Sequence, residues 1–256
     1  MEKDKSKTGV AEWAAYSVNI QVGCEHNCLY CYARGMACQY GQCTREQWPE
    51  PVIDQRKVDL PRKKFAGVVM SPTTHDITPR NLSEYLCVLR KLLDAGNQVL
   101  IVSKPHLECI KIICEAYREY QKQILFRFTI GSPRDDVLKF WEPGAPSFGE
   151  RMKCLREAYS AGFATSISCE PFLDNHVVDL YHACAPFLTD SFWVGKMNKI
   201  KHRVDFSKIS EADHSKFVAP LLGLYETRNI CELYQQLKDE PFIQWKDSVR
   251  EVIENG

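Results

Sequence analysis

The chain has 256 residues, 45% of them hydrophobic and 26% charged, with Lys+Arg and Asp+Glu equal at 33 each. That composition excludes a disordered chain, and neutrality argues against a protein gripping long nucleic acid by overall charge, since such proteins are usually basic. Residues 1–9 are polar, without the apolar core of a signal peptide, and apolar runs such as 218–225 fall far short of a bilayer span, so no membrane partner and a cytoplasmic location are expected.

In chain order, residues 16–22 read as a strand ending at Gly23. Residues 67–70, 99–102, 124–130, 164–169 and 191–194 read as five more. Between them lie helical patterns. Leu82, Tyr85, Leu86, Leu89, Leu92 and Leu93 share one face of a helix closed by Gly96. Leu107, Ile110, Cys114 and Tyr117 form the next stripe, and Phe148, Met152, Leu155 and Tyr159 another, stopped by Gly162. Val177, Tyr181 and Cys184 make a shorter one, and the tail holds two helical patterns, 230–237 and 242–253. Strands alternating with helices imply a parallel sheet with right-handed crossovers. Six such units predict an α/β fold, an open, partial (β/α)6 barrel with functional residues at the C-terminal ends of its strands. The expected organisation is an N-terminal tail 1–14, a barrel 15–200 with an irregular insertion 38–64, and a helical C-terminal extension 201–256.

Twelve cysteines are present, and five of them crowd into residues 24 to 43. In a reducing compartment clustered cysteines bind metal or do chemistry more often than they form disulfides. Cys24, Cys28 and Cys31, spaced C-x3-C-x2-C directly after the first strand, supply three thiolates to a cubane cluster that takes four when fully ligated. One iron then keeps an open position, the mark of a catalytic metal centre. An alternative uses Cys28, Cys31, Cys38 and Cys43 for a structural zinc in a binding module, with Cys24 spare and His26 as a substitute ligand. Iron analysis separates the two.

The C-x3-C-x2-C motif with Tyr30 before its last cysteine resembles the signature of the radical S-adenosylmethionine (SAM) superfamily. The run Cys31-Tyr32-Ala33-Arg34 looks like the spore photoproduct lyase-related branch. Ser71-Pro72-Thr73-Thr74-His75-Asp76 resembles that branch's Thr-Asp segment beside the SAM methionine moiety, although His75 interrupts the pair. Ser103-Lys104 resembles its Thr-Lys, and Glu142-Pro143, Glu150-Arg151-Met152 and Ala161-Gly162 its Glu-Pro…Glu-Arg-Leu…Ala-Gly stretch. The likeness covers roughly residues 15–200. It implies a [4Fe–4S] cluster, SAM, an electron donor such as flavodoxin or ferredoxin, and a 5′-deoxyadenosyl radical that abstracts hydrogen from the substrate. It also implies that Tyr30 lies against the adenine, and that Ser71, Thr73, Thr74, Asp76 and Lys104 meet SAM.

Other polar residues at strand ends extend this list. Ser132 and Arg134 follow the fourth strand, where the usual family layout holds the ribose and methionine carboxylate; Arg suits a carboxylate through its bidentate fork. Glu170 ends the fifth strand, placed to hold the ribose or the substrate or else to shape a turn. Cys169 beside it is a candidate hydrogen-atom donor or a buried filler. Lys196, Lys199, Lys201, His202, Arg203 and Lys208 form one basic stretch, and Arg56, Lys57, Arg62, Lys63 and Lys64 a second, suited to phosphates or to solvent. The substrate class stays open: small molecule, nucleotide, nucleic acid or peptide. No helix-turn-helix or other DNA-reading motif accompanies these stretches, so lesion repair does not follow from the resemblance.

Overall fold

The computed structural model describes residues 9–255. Its strands are β1 (Tyr16–Ser17), β2 (Gln21–Val22), β3 (Val52–Ile53), β4 (Val69–Met70), β5 (Val99–Ser103), β6 (Ile124–Thr129), β7 (Ala164–Cys169), β8 (Phe192–Val194) and β9 (Ile243–Trp245). Seven form one wholly parallel sheet in the order β1-β4-β5-β6-β7-β8-β9, while β2 and β3 make a separate antiparallel ribbon. The sheet is open, as expected, but it has seven strands rather than six.

The helices of the barrel region are α1 (Tyr32–Gln39), α2 (Gln55–Asp59), α3 (Leu82–Asp94), α4 (Leu107–Ala116), α5 (Asp135–Trp141), α6 (Phe148–Ser160) and α7 (Val177–Cys184). They are followed by α8 (Ile200–Arg203), α9 (Glu211–Asp213), α10 (Ala219–Leu224), α11 (Thr227–Leu237) and α12 (Asp247–Asn255). The stripes pack as their spacing requires. Leu89 and Leu92 of α3, Ile110 of α4, Leu155 of α6 and Leu180 of α7 are all fully buried in one core with Val69, Ile101, Phe126, Phe128 and Ile167 of the strands. Burying each such aliphatic side chain contributes about 1.5–3 kcal/mol. At Gly96 (φ +80°) the chain leaves α3 in the left-handed region, and at Gly162 (φ +82°) it leaves α6 the same way. Tyr159 departs from its stripe: Ala158 fills the core position, and the exposed Tyr159 ring lies edge-on to Phe187.

Three segments differ from their sequence reading. Residues 16–22 are two strands, because between them the Asn19 side chain accepts from the Thr73 and Thr74 amides at 2.7 and 2.9 Å and draws the chain off the sheet. The insertion 38–64 is not wholly irregular: it supplies α2 and the strand β3 that receives β2. The C-terminal region is not wholly helical, since residues 243–245 pair with β8 and only then does α12 begin.

That last strand lets the N-terminal segment close the gap between the sheet's two edges. Residues 9–12 form a single 3-10 turn, not a free tail, while residues 1–8 of the expected tail lie outside the described residues. Glu12 is 5% exposed at its side chain and pairs with Lys246 Nζ and with Arg250 Nη2 (2.5 Å). Lys246, 1% exposed at its side chain, also donates to the Gly9 carbonyl at 2.8 Å. The Trp13 ring meets Trp193 edge-on at 5.7 Å, and Lys246 Nζ stands 4.1 Å from the Trp13 centroid. Breaking a buried ion pair by removing one partner is strongly destabilising, because the other charge is left uncompensated. Glu12→Ala is therefore expected to lower unfolding stability by about 3 kcal/mol in urea titrations. An unchanged midpoint would show that the clasp contributes nothing.

Candidate functional site

A cavity of about 280 Å³ opens at the C-terminal ends of the strands, walled by Cys24, Cys28 and Cys31 on one side and by Thr73, Asp76, Lys104, Glu170 and Lys246 on others. The cysteine loop is shaped by close approaches. Gly23 (φ +98°) brings the backbone so near that a Cβ would stand 2.8 Å from the Trp48 carbonyl, which accepts from Cys24 N at 2.9 Å. Asn27 turns the loop with φ +46°, and its side chain accepts from Arg34 at 3.0 Å, while a second Arg34 nitrogen donates to the Leu29 carbonyl. From outside, Gly144 donates to the His26 carbonyl at 3.0 Å, and a Cβ there would come within 2.3 Å of the Glu25 carbonyl. Cys31 caps α1, its sulfur accepting from Arg34 N.

Burial raises the thiol pKa values of all three cysteines, that of Cys24 further through the charge of Asp76. Thiols in such surroundings keep their protons until a metal replaces them. No three sulfurs among Cys24, Cys28, Cys31, Cys38 and Cys43 lie mutually within 4.8 Å. A tetrahedral zinc with sulfurs at 2.3 Å needs them about 3.8 Å apart. The zinc set is therefore not assembled: Cys28 and Cys31 face the cavity, whereas Cys38 and Cys43 lie half-buried and off its wall.

Asp76 ties the loop to the strands. Its Oδ1 accepts from Ser103 Oγ (3.0 Å) and Lys104 N (2.6 Å), and its Oδ2 meets His26 Nδ1 at 2.9 Å and lies 3.8 Å from Cys24 Sγ. Burial opposes ionisation, but Lys104 and His26 outweigh it and hold the carboxyl well below its usual range. Cys24, His26 and Asp76 are also the one group of metal-competent atoms lying within 4.8 Å of one another among the described residues. The partner His75 is buried and neutral, desolvation pushing it down to about 4, with Nε2 accepting from Ile20 N and Nδ1 facing the Asp76 carbonyl.

Beneath the loop, Tyr30 donates its hydroxyl to Glu142, which pairs with Arg151 at 2.6 Å; both charged side chains are wholly buried. Lys104 Nζ lies 5.7 Å from the Tyr30 ring centroid and 3.9 Å from Asp76. The Glu-Pro and Glu-Arg stretches of the sequence thus build a buttress under the loop.

The expected site residues divide by strand alternation, since successive side chains point to opposite faces. Thr129, Ser168 and Glu170 line the cavity; Cys169, between the last two, is fully buried in the helix-facing core. Burial puts its thiol well above the usual range, and it does not face the cavity. Thr73, Thr74, Asp76, Lys104 and Tyr30 do line it. Ser71 does not: it is buried, and its carbonyl accepts from Tyr85. Ser132 is buried against Asp174 at 2.5 Å, and the chain turns away there into α5. Arg134 is half-exposed, forks onto Asp136 at 2.9 and 3.2 Å, and borders a separate cavity of about 210 Å³. It is not brought to the site, so a carboxylate there must find another cation. Sequence reasoning missed Glu12, Trp13 and Lys246, which no local pattern marks.

Glu170 ends β7 beside Lys246 at 3.5 Å, and burial, against the pull of Lys246, raises its pKa from 4.5 to about 6. A carboxyl whose folded pKa exceeds its unfolded value is better tolerated protonated, so its stability cost is absent below about pH 4.5 and complete above about pH 6. The gain in stability of Glu170→Gln over wild type should therefore grow by about 2 kcal/mol from pH 4 to pH 7 in denaturant titrations. A difference that stays flat with pH would contradict this. Gly144→Ala is expected to reduce iron bound per chain severalfold on reconstitution, through its clash with the Glu25 carbonyl, while Gly149→Ala, whose Cβ would meet only the Ser147 hydroxyl at 4.0 Å, leaves it unchanged.

The family model described as the radical SAM superfamily matches residues 18–178. A curated relative, "Uncharacterized protein ORF301" of Acidianus two-tailed virus, is 26% identical over 168 residues, 61% of this chain and 55% of its own, so the match spans about half that relative's length. Among solved structures, a cysteine-to-alanine mutant of spore photoproduct lyase with a dinucleoside spore photoproduct superposes with a TM-score of 0.58 at 16% identity, over 99% of this chain and 77% of that one. A double mutant of the same enzyme with bound AdoMet and the dinucleoside gives 0.54 at 18% identity, over 84% and 65%. At these identities the structures show a shared fold. The family match covers well over half of the chain, and with the cysteine loop seated at the rim of an open parallel sheet, this protein belongs to the radical SAM superfamily.

Proposed function

We propose that the cavity holds a [4Fe–4S] cluster on Cys24, Cys28 and Cys31 and binds SAM beside it. The observation that carries this reading is that three thiols on one braced loop, Cys24 and Cys28 buried and Cys31 half-buried, face a single cavity at the C-terminal rim of the sheet. When bound, the reduced cluster and SAM supply a 5′-deoxyadenosyl radical that abstracts hydrogen from the substrate. The chain's own part is placement and exclusion. Asp76 holds the loop and the end of β5 in one register, so the three cysteines that would hold the cluster stay on the cavity wall. Lys104, a largely buried ammonium on the wall beside Asp76, is the wall cation we assign to the methionine carboxylate, Arg134 lying off the cavity. Thr73 and Thr74 present polar groups at the same wall, and the buried Tyr30–Glu142–Arg151 buttress keeps the loop from moving as the site fills.

The electron comes from a small redox protein such as flavodoxin or ferredoxin. Glu170, on the wall beside Lys246, is a hydrogen-bonding group for the ribose or the substrate. Cys169 remains the only strand-end cysteine read as a hydrogen donor, and its burial on the helix side supports a packing role instead.

Anaerobic reconstitution tests the reading. Wild-type protein is expected to bind about four irons per chain and, with dithionite and SAM, to release 5′-deoxyadenosine detectable by mass spectrometry. Replacement of any one of the three cysteines by alanine should abolish both the brown chromophore and the product. Retained SAM cleavage in any of these variants would overturn the assignment.

A further inference from the structure

The cavity wall carries four cationic side chains: Lys104, Lys196, Arg203 and Lys246. Two are committed to carboxylates inside the protein. Lys104 faces Asp76 at 3.9 Å, and Lys246 is held by Glu12 and by Glu170 at 3.5 Å. Asp76 and Glu170 are also the only carboxylates on the wall among the described residues. Lys196 and Arg203 have no carboxylate within ion-pair distance among the described residues. Both are half-buried, and both line the cavity.

This placement is built by the chain rather than left to surface charge. Gly195 packs so tightly on Glu170 and Lys246 that a Cβ would stand 2.9 Å from the Cγ of each. Lys196 follows at once, its amide donating to Ser248 Oγ at 3.2 Å, and Met197 is buried behind it. Lys199, at φ +54°, then turns the chain into α8, whose last residue is Arg203. The Arg203 guanidinium lies 5.8 Å above the Tyr32 ring, and Tyr32 is itself anchored to the Thr73 carbonyl. The rest of the basic stretch takes no part. Lys208 pairs with Asp205, and Lys199, Lys201 and His202 are exposed off the wall. Arg56 and Lys57 of the second stretch are occupied by Asp54.

We propose that Lys196 and Arg203 form an anion-binding lip, and that the substrate is a phosphate ester held there by its phosphate with its remainder directed into the cavity. A guanidinium fork and an ammonium lining one cavity suit a tetrahedral phosphate, and among the described residues an entering anion meets no uncompensated carboxylate. The inference rests on the reading of the cavity as the radical site, in which Lys104 takes the carboxylate of SAM. The phosphate belongs either to a free nucleotide-sized ester or to a nucleic-acid strand, and the probes separate these sources.

The test uses the anaerobically reconstituted full chain. Binding of inorganic pyrophosphate, of adenosine, of adenosine 5′-monophosphate and of a single-stranded DNA decamer is measured by calorimetry at several salt concentrations. The phosphorylated probes should bind about tenfold tighter than adenosine, and the Lys196→Ala/Arg203→Ala double variant should lose that factor, while Lys201→Ala keeps it. If the strand is the ligand, the decamer binds tighter than the monophosphate, and the double variant flattens its log K against log salt slope by about 1.4. A Lys196→Gln/Arg203→Gln variant, checked for wild-type circular dichroism, guards against misfolding. Equal binding of phosphorylated and unphosphorylated probes overturns the proposal, as does a double variant that binds like wild type or a Lys201→Ala loss as large as its own. Release of 5′-deoxyadenosine by wild type is followed in parallel. If it is absent while phosphate binding tracks the lip, the radical reading fails and the lip stands; the reverse result removes the lip alone.

Discussion

Through two oxygens of one carboxylate, Asp76 joins the parts that must stay in register for the cavity to exist. Oδ1 binds Ser103 and the Lys104 amide at the end of β5, and Oδ2 binds His26 and lies against Cys24 in the cysteine loop. A buried charge of this kind persists only when its hydrogen bonds are complete, and here each oxygen has its partners. The carboxylate also helps to keep Lys104 charged within the wall, where Cys28, Tyr30, Asp76 and Glu142 together outweigh the burial that would otherwise neutralise it. Loop position, wall charge and the route into the sheet thus follow from one side chain.

A second polar core, Tyr30–Glu142–Arg151, acts from below. Arg151 is fully buried yet reaches Glu142, the Pro146 carbonyl and the Thr129 carbonyl, so every charge on it is met by an acceptor. It fixes α6 to the end of β6 and, through Glu142, to the loop's aromatic residue. Together the two networks give the loop a rigid seat, which a radical site needs so that reactive species are kept from water and from the protein's own side chains. The third closure, Glu12 with Lys246 and Arg250, works across the open edge of the barrel and brings the sheet's last strand into the cavity wall.

Much of this was legible in the chain. The helical stripes, the parallel order of the strands and the three-cysteine loop each depend on neighbours within a few residues, where periodicity and spacing carry the information. Cys169 and Glu170 show the limit of that reading. They are adjacent at a strand end, yet one faces the helices and the other the cavity, and only the pleat's phase in the folded sheet separates them. Arg134 fails for a related cause: Asp136, two residues on, captures its guanidinium as the chain turns into α5.

The amino-acid order by itself determined the α/β alternation, the three-cysteine loop and the membership in the radical SAM superfamily, because these are written in local spacing. The tertiary structure alone decided which polar residues meet. Glu12 and Lys246 are separated by nearly the whole chain, and β9 carries Lys246 to the wall only because it pairs with β8. Of the six basic residues in the stretch 196–208, two line the cavity, a choice made by the packing of Gly195 and the left-handed turn at Lys199. Such meetings depend on strand pairing and backbone direction at long range, and no short motif encodes them.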